Sequence, residues 1–170
     1  MKSTNFLRID FISTVKLTQK ESREIERILK SFDQLVFHLV KIGLLKLRPK
    51  SLEVSLLLCG DTKMRALNDQ YRKKDKTTDV LSFPSYENLR SQTKIDEASL
   101  YLGDIAISFP VLKKQAKKFK IRLSDEFIHL FLHGLIHLCG YDHEISDAEE
   151  KLMQKWEKIA LDFYQKKRLP

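Results

Sequence analysis

Cysteine, glycine and proline are all scarce in this chain, which has only 2, 5 and 4 of them among 170 residues. Cys59 and Cys139 lie inside apolar segments and form no C-x-x-C pair, which excludes a disulfide framework and a cysteine-based zinc site and fits buried free thiols. There is no Pro/Gly/Ser-rich linker, internal repeat or low-complexity tract, and Pro49, Pro84, Pro110 and Pro170 stand where elements should end. A single domain over residues 1–170 is expected. Long apolar runs are missing too. The longest, from Leu35 to Leu45, is interrupted by His38 and Lys41 and falls short of the ~20 apolar residues of a membrane span. No apolar signal-peptide core follows Met1, so a cytoplasmic protein is expected.

What is present is a globular composition, 42% hydrophobic and 32% charged, with 31 Lys and Arg against 23 Asp and Glu for a net charge of +8. Such a surplus attracts polyanions, but many basic proteins bind no nucleic acid, so charge alone does not identify a partner.

The hydropathy pattern predicts an α/β fold, with about four strands and about five helices. Phe6–Ile12 reads as a strand, and apolar residues at helical spacing from Ile25 to Val40 predict a long helix over about Glu21–Leu45. Val54–Cys59 reads as a strand buried on both faces, closed by Gly60, and a brief helix with Met64, Leu67 and Tyr71 follows. Asp79–Phe83 and Tyr101–Ser108 are further strands, separated by a polar loop, Ser85–Ala98, long enough to be mobile. A helix with Val111, Leu112, Ala116 and Phe119 on its apolar side comes next. The last two helices open at Ser124, read as an N-cap, and at Ser146, read with Glu149 as a capping box.

Three of the five histidines fall within the eleven residues His133–His143. His133 and His137 are four apart, differ by only ~40° around a helix, and can close on a single ion. Gly140 falls where the helix must end and permits a left-handed turn that brings His143 back to the same ion. Three imidazoles leave a coordination position open to water, as in catalytic rather than structural zinc sites. His129 extends the same stripe but lies ~12 Å along the axis from His137 and cannot share that ion. It reads equally as a cleft-lining or a packed residue, His38 reads as structural, and Cys139 points away from the ligand face.

Metallopeptidases with this histidine spacing place Glu after the first histidine, whereas this chain has Gly134. A metallopeptidase therefore lacks its base, although a bound metal can still lower the pKa of water toward ~7 and hydrolysis survives as a class. Glycine in mid-helix costs ~1 kcal/mol against alanine, which predicts that a ligand or another backbone comes close there. Two basic sets complete the inventory. Arg72, Lys73, Lys74 and Lys76 precede a strand, and Arg72 has the fork of donors that suits phosphate oxygens. Lys113, Lys114, Lys117, Lys118, Lys120 and Arg122 line a polar helix side that either tracks a nucleic-acid backbone or is simply solvated.

Three blocks resemble the bacterial YbeY family of metal-dependent endoribonucleases. They are His133-Gly-x-x-His137-x-x-Gly140-Tyr141-Asp142-His143; Leu67–Pro84 with Asn68, Arg72 and Thr78-Asp79-Val80-Leu81-Ser82-Phe83-Pro84; and Leu102-Gly103-Asp104-Ile105. The resemblance implies a mixed α/β fold with a zincin-like site on a C-terminal helix and the turn after it. It also implies one zinc ion per chain on His133, His137 and His143, and cleavage of single-stranded RNA. The implied work is maturation of the 3′ end of small-subunit ribosomal RNA and ribosome quality control, with the small ribosomal subunit as partner. Arg72 is implied as a catalytic or phosphate-binding residue. Asp104 is either catalytic near the site or a structural hydrogen-bond acceptor, and Asp142 either orients a ligand imidazole or terminates the turn. The competing functions are a metallopeptidase and a ribosome-binding module with structural zinc; the basic tail from Lys166 and the oligomeric state stay unassigned.

Overall fold

The structure is a computed structural model and describes residues 6–168 apart from 96 and 98. The opening residues 1–5, the last two residues 169 and 170, and those two positions of the polar loop lie outside the described residues. In chain order come β1 (Leu7–Ser13), α1 (Gln19–Lys41), β2 (Ser51–Cys59), α2 (Asp61–Arg72), β3 (Val80–Pro84), β4 (Ser99–Ser108), α3 (Phe109–Phe119), α4 (Leu123–Leu138) and α5 (Asp147–Arg168). The strands form one mixed sheet in the order β1-β2-β4-β3, with β1, β2 and β4 parallel and β3 antiparallel to β4. Fold class, with four strands and five helices among the described residues, is as expected from the hydropathy pattern.

α1 starts at a full capping box. Glu21 N–H donates to Thr18 Oγ1 at 3.2 Å while Thr18 N–H donates to Glu21 Oε2 at 2.8 Å. Glu21 also holds Lys113 Nζ at 2.8 Å, tying α1 to α3. The helix stops at Lys41, short of the expected Leu45, because Gly43 turns the chain at φ +113°. Leu44 and Leu45 still enter the core, but from the turn.

β2 departs from the expected burial on both faces. Leu52, Val54, Leu56 and Leu58 are buried, whereas Glu53, Ser55 and Leu57 between them are half-exposed. The first set belongs to the main core with α1, α4 and α5. On the other face α2 covers only one end, through Met64 against Cys59, Leu81 and Ala106. In β4 the pairing with β2 slips, so that Tyr101 faces Glu53 and Gly103 faces Val54. Gly103 takes φ +131°, and a Cβ there would collide with the Phe83 carbonyl oxygen. Beyond this bulge Ile105 points toward α4 and Ala106 toward α2.

Three local expectations are corrected. Ser124 is not the cap of α4: the cap is Arg122, and the Ser124 hydroxyl is buried in the first turn without a hydrogen-bond partner. Ser146 Oγ accepts from Glu149 N–H at 3.3 Å, but the Glu149 carboxylate is drawn away to Arg90 Nη2 at 2.7 Å, so only half of that capping box forms. The same pair tethers the loop expected to be mobile. Leu89 at its centre is fully buried, and the Arg90 guanidinium lies 4.9 Å from the centre of the Tyr141 ring.

The bond from Lys113, then that from the Thr18 backbone, holds the Glu21 carboxyl down to about 2, against the usual 4.5. A depressed carboxyl stabilises the fold above its unfolded value and loses that contribution as pH falls through the folded one. Glu21→Gln should therefore cost about 1 kcal/mol at neutral pH. In urea titrations the deficit should shrink as pH drops from about 4.5 toward about 2; a deficit unchanged over that interval contradicts the assignment.

Candidate metal centre

α4 is apolar on most of its circumference and buries Phe127, Ile128, Phe131, Leu132, Leu135 and Ile136. It can lie flat on β4 because position 134 is glycine: a Cβ there would meet Ile105 Cγ2 at 3.1 Å. The close neighbour expected at Gly134 is thus a strand side chain, not a ligand or another backbone. His133 and His137 emerge one turn apart on the same helix, half-buried. The helix ends at Leu138, and Gly140 takes φ +93° with its N–H on His137 O at 2.9 Å. Tyr141 anchors the turn by donating its hydroxyl to Leu44 O at 2.9 Å, in a fully buried bond. Asp142 Oδ1 accepts from Glu144 N–H at 2.9 Å and so shapes the turn, while its carboxylate also acts on the neighbouring His137.

The turn returns His143 to the helix. Ring centroids are 4.8 Å apart for His133 and His137, 5.3 Å for His133 and His143, and 5.1 Å for His137 and His143. One ligand atom from each lies within 4.8 Å of the others. Burial, and next the neighbouring His133, push His137 down to about 4. The ring is therefore neutral at physiological pH and its lone pair is available. Three imidazoles, two half-buried and one at the exposed rim, fit a borderline-soft divalent ion that keeps a side open to solvent. Cys139 does not compete, since complete burial pushes its thiol up to about 12.

Two carboxylates that the sequence reading did not find complete the surroundings. Glu157 of α5 places Oε1 2.6 Å from His133 Nδ1. Burial pushes its carboxyl up, but the His133 bond and the nearby imidazoles outweigh that and hold it below the usual range. Glu144, directly after His143, takes both of its oxygens to Arg72 Nη2, at 2.9 and 2.8 Å. Arg72 is the last residue of α2, so this pair brings the basic segment to the rim of the site. Buried Asn68 folds that segment back by donating to Lys76 O at 2.8 Å. Local sequence signals for the two carboxylates are faint: Glu157 is marked only by its place beside buried Trp156, and Glu144 only by adjacency to a ligand.

Other expected residues fall elsewhere. Asp104 is not brought to the imidazoles. Its neighbour Ile105 faces α4, so Asp104 lies on the opposite face of the sheet, where it accepts from the Tyr101 hydroxyl at 2.9 Å. Of the two readings the sequence left for it, the structural acceptor is the one the geometry favours. His129 sits beside the triad, 6.4 Å from His133 between ring centroids, with Nδ1 3.8 Å from Glu126. His38 stacks on Phe163 at 4.3 Å. On α3, Lys113 is engaged by Glu21, while Lys114, Lys117 and Lys118 are exposed.

Fold and site together define a mixed α/β protein with a three-imidazole cluster that could hold a metal ion and opens to solvent. Comparison with known proteins gives the family: the model for endoribonuclease YbeY matches residues 15–165. The chain is 42% identical over 130 residues to the endoribonuclease YbeY of Leptospira interrogans, covering 71% of this chain and 92% of that one. It is 34% identical over 160 residues to that of a Geobacillus species, covering 93% and 96%. The solution structure of TM1509 from Thermotoga maritima shares the fold, with a TM-score of 0.56, 22% identity and coverage of 95% and 94%. The chain belongs to the endoribonuclease YbeY family, hydrolytic nucleases whose substrate is RNA.

The metal-free protein offers a direct check of the site's electrostatics. In a histidine NMR titration, His137 should change charge at about 4, well below the ordinary 6.5. A His137 titrating near 6.5 would mean that the ring is better hydrated than the structure shows.

Proposed function

We propose that this chain is a zinc-dependent endoribonuclease specific for single-stranded RNA, with residues 1–170 acting as one catalytic domain. Its place is the cytoplasm, in maturation of the 3′ end of small-subunit ribosomal RNA and in ribosome quality control, with the small ribosomal subunit as partner. The observation that carries the reading is the convergence of three imidazoles and one guanidinium: Arg72 reaches the residue that directly follows the ligand His143. Membership of the family and the net charge of +8 support the same conclusion.

His133, His137 and His143 would hold the ion, and the three-nitrogen donor set suits zinc. When bound, zinc supplies Lewis acidity and a lowered water pKa next to the scissile phosphodiester. Arg72 offers a fixed fork of donors for the phosphoryl oxygens and stabilises charge that builds on them. In the free protein both Glu144 oxygens lie on the single nitrogen Nη2 of that guanidinium, so an incoming phosphate competes with Glu144 for one arm of the fork. Exposed Lys73, Lys74 and Lys76 next to Arg72 attract the RNA backbone by releasing its counterions. Asp104, on the far face of the sheet, takes no part in the step.

Arg72→Ala and His133→Ala should each reduce cleavage of a single-stranded oligoribonucleotide by ~100-fold or more, with circular dichroism unchanged. Arg72→Lys should recover only part of the loss, since a point charge lacks the fork. Unstructured peptides incubated in parallel should stay intact; their hydrolysis would favour a metallopeptidase. Chelation should abolish cleavage and leave the fold largely in place, whereas unfolding on chelation would favour a structural ion in a ribosome-binding module.

A further inference from the structure

We propose that Glu157 is a positioning residue of the metal centre: reaching across from α5, its carboxylate holds the His133 ring with Nδ1 protonated and Nε2 turned toward the ion. The inference rests on the reading of the imidazole triad as a metal site. An imidazole ligand needs one bare nitrogen, and which one is bare is decided by what the other donates to. Here the other is Nδ1, 2.6 Å from Glu157 Oε1, as close as the strongest charge-assisted bonds bring their partners.

The remaining carboxylates near the site are engaged elsewhere. Asp142 accepts from the Glu144 backbone, Glu144 binds Arg72, and Glu126 lies 3.8 Å from His129. Among the described residues, Glu157 is the one carboxylate recorded in direct contact with a ring of the triad. Its own position is well determined. Met153, Trp156 and Ala160 of α5 are buried, and the Trp156 ring packs edge-on against Tyr141 in the turn that carries His143. One helix therefore supports both the ring of the first ligand and the turn of the last. The Glu157 side chain is only 18% exposed, so its charge has given up much of its hydration to make this contact.

Two variants separate positioning from packing. Glu157→Leu keeps most of the volume and removes the acceptor, whereas Glu157→Gln keeps an acceptor oxygen in the same place. Zinc affinity, measured by competition with a chromophoric chelator, should weaken by roughly 10–100-fold in Glu157→Leu and largely recover in Glu157→Gln. The visible spectrum of the cobalt(II)-loaded chain should shift in the Leu variant only, while the metal-free thermal midpoints stay close. In the wild-type zinc-loaded protein, long-range nitrogen–proton NMR should show His133 protonated at Nδ1, a reading that needs no variant to fold. His133 protonated at Nε2, or a Leu variant with wild-type affinity and cobalt spectrum, overturns the inference while the metal site stands. A wild-type chain that binds neither zinc nor cobalt overturns the metal site and this inference with it.

Discussion

The site exists because α4 is stopped and reversed within a few residues of its second ligand. Two histidines on one helical turn are half of a cage; the other half depends on Gly140 at φ +93°, where an L side chain is strained and the neighbouring backbone at Leu89 leaves little room. The reversal is then held from outside the helix. Tyr141 is bonded to the carbonyl that follows the α1 turn, Asp142 closes the next backbone bond, and the β3–β4 loop lies against Gly140. Contacts distant in sequence thus converge on a turn whose function is to deliver one imidazole.

The same economy governs the electrostatics. Burial, and next the neighbouring His133, disfavour the charged form of His137, which is why that ring is pushed so far down. Carboxylates restore the balance at the periphery, with Glu157 at Nδ1 of one ring and Glu144 beside another. Arg72 adds a positive charge at the rim that tolerates a carboxylate in the free protein and is shaped to accept a phosphate.

Much of this was legible in the residues alone. The triad, the glycine that returns the third ligand, the five helices and the four strands all follow from local patterns with a definite period or a specific backbone requirement. What escaped was tertiary. Glu157 and Glu144 are common residues on polar surfaces, and only the packing of α5 on α4 and the end of α2 against the turn give them a function. The face Asp104 occupies was hidden for a related reason: it belongs to a distinctive short block, but a one-residue bulge at Gly103 determines which face of the sheet that block presents. Glu149 shows the competition between a cap and a tertiary partner, being taken by Arg90, whereas Ser124 is one position too far into α4 to cap it.

X-ray absorption spectroscopy of the zinc-loaded protein in solution tests the central claim most directly. The account predicts a first shell of nitrogen and oxygen at ~2.0–2.1 Å, with the multiple scattering of three imidazoles and no sulfur. A spectrum fitted by fewer than three imidazoles, or by a sulfur shell near ~2.3 Å, would contradict it.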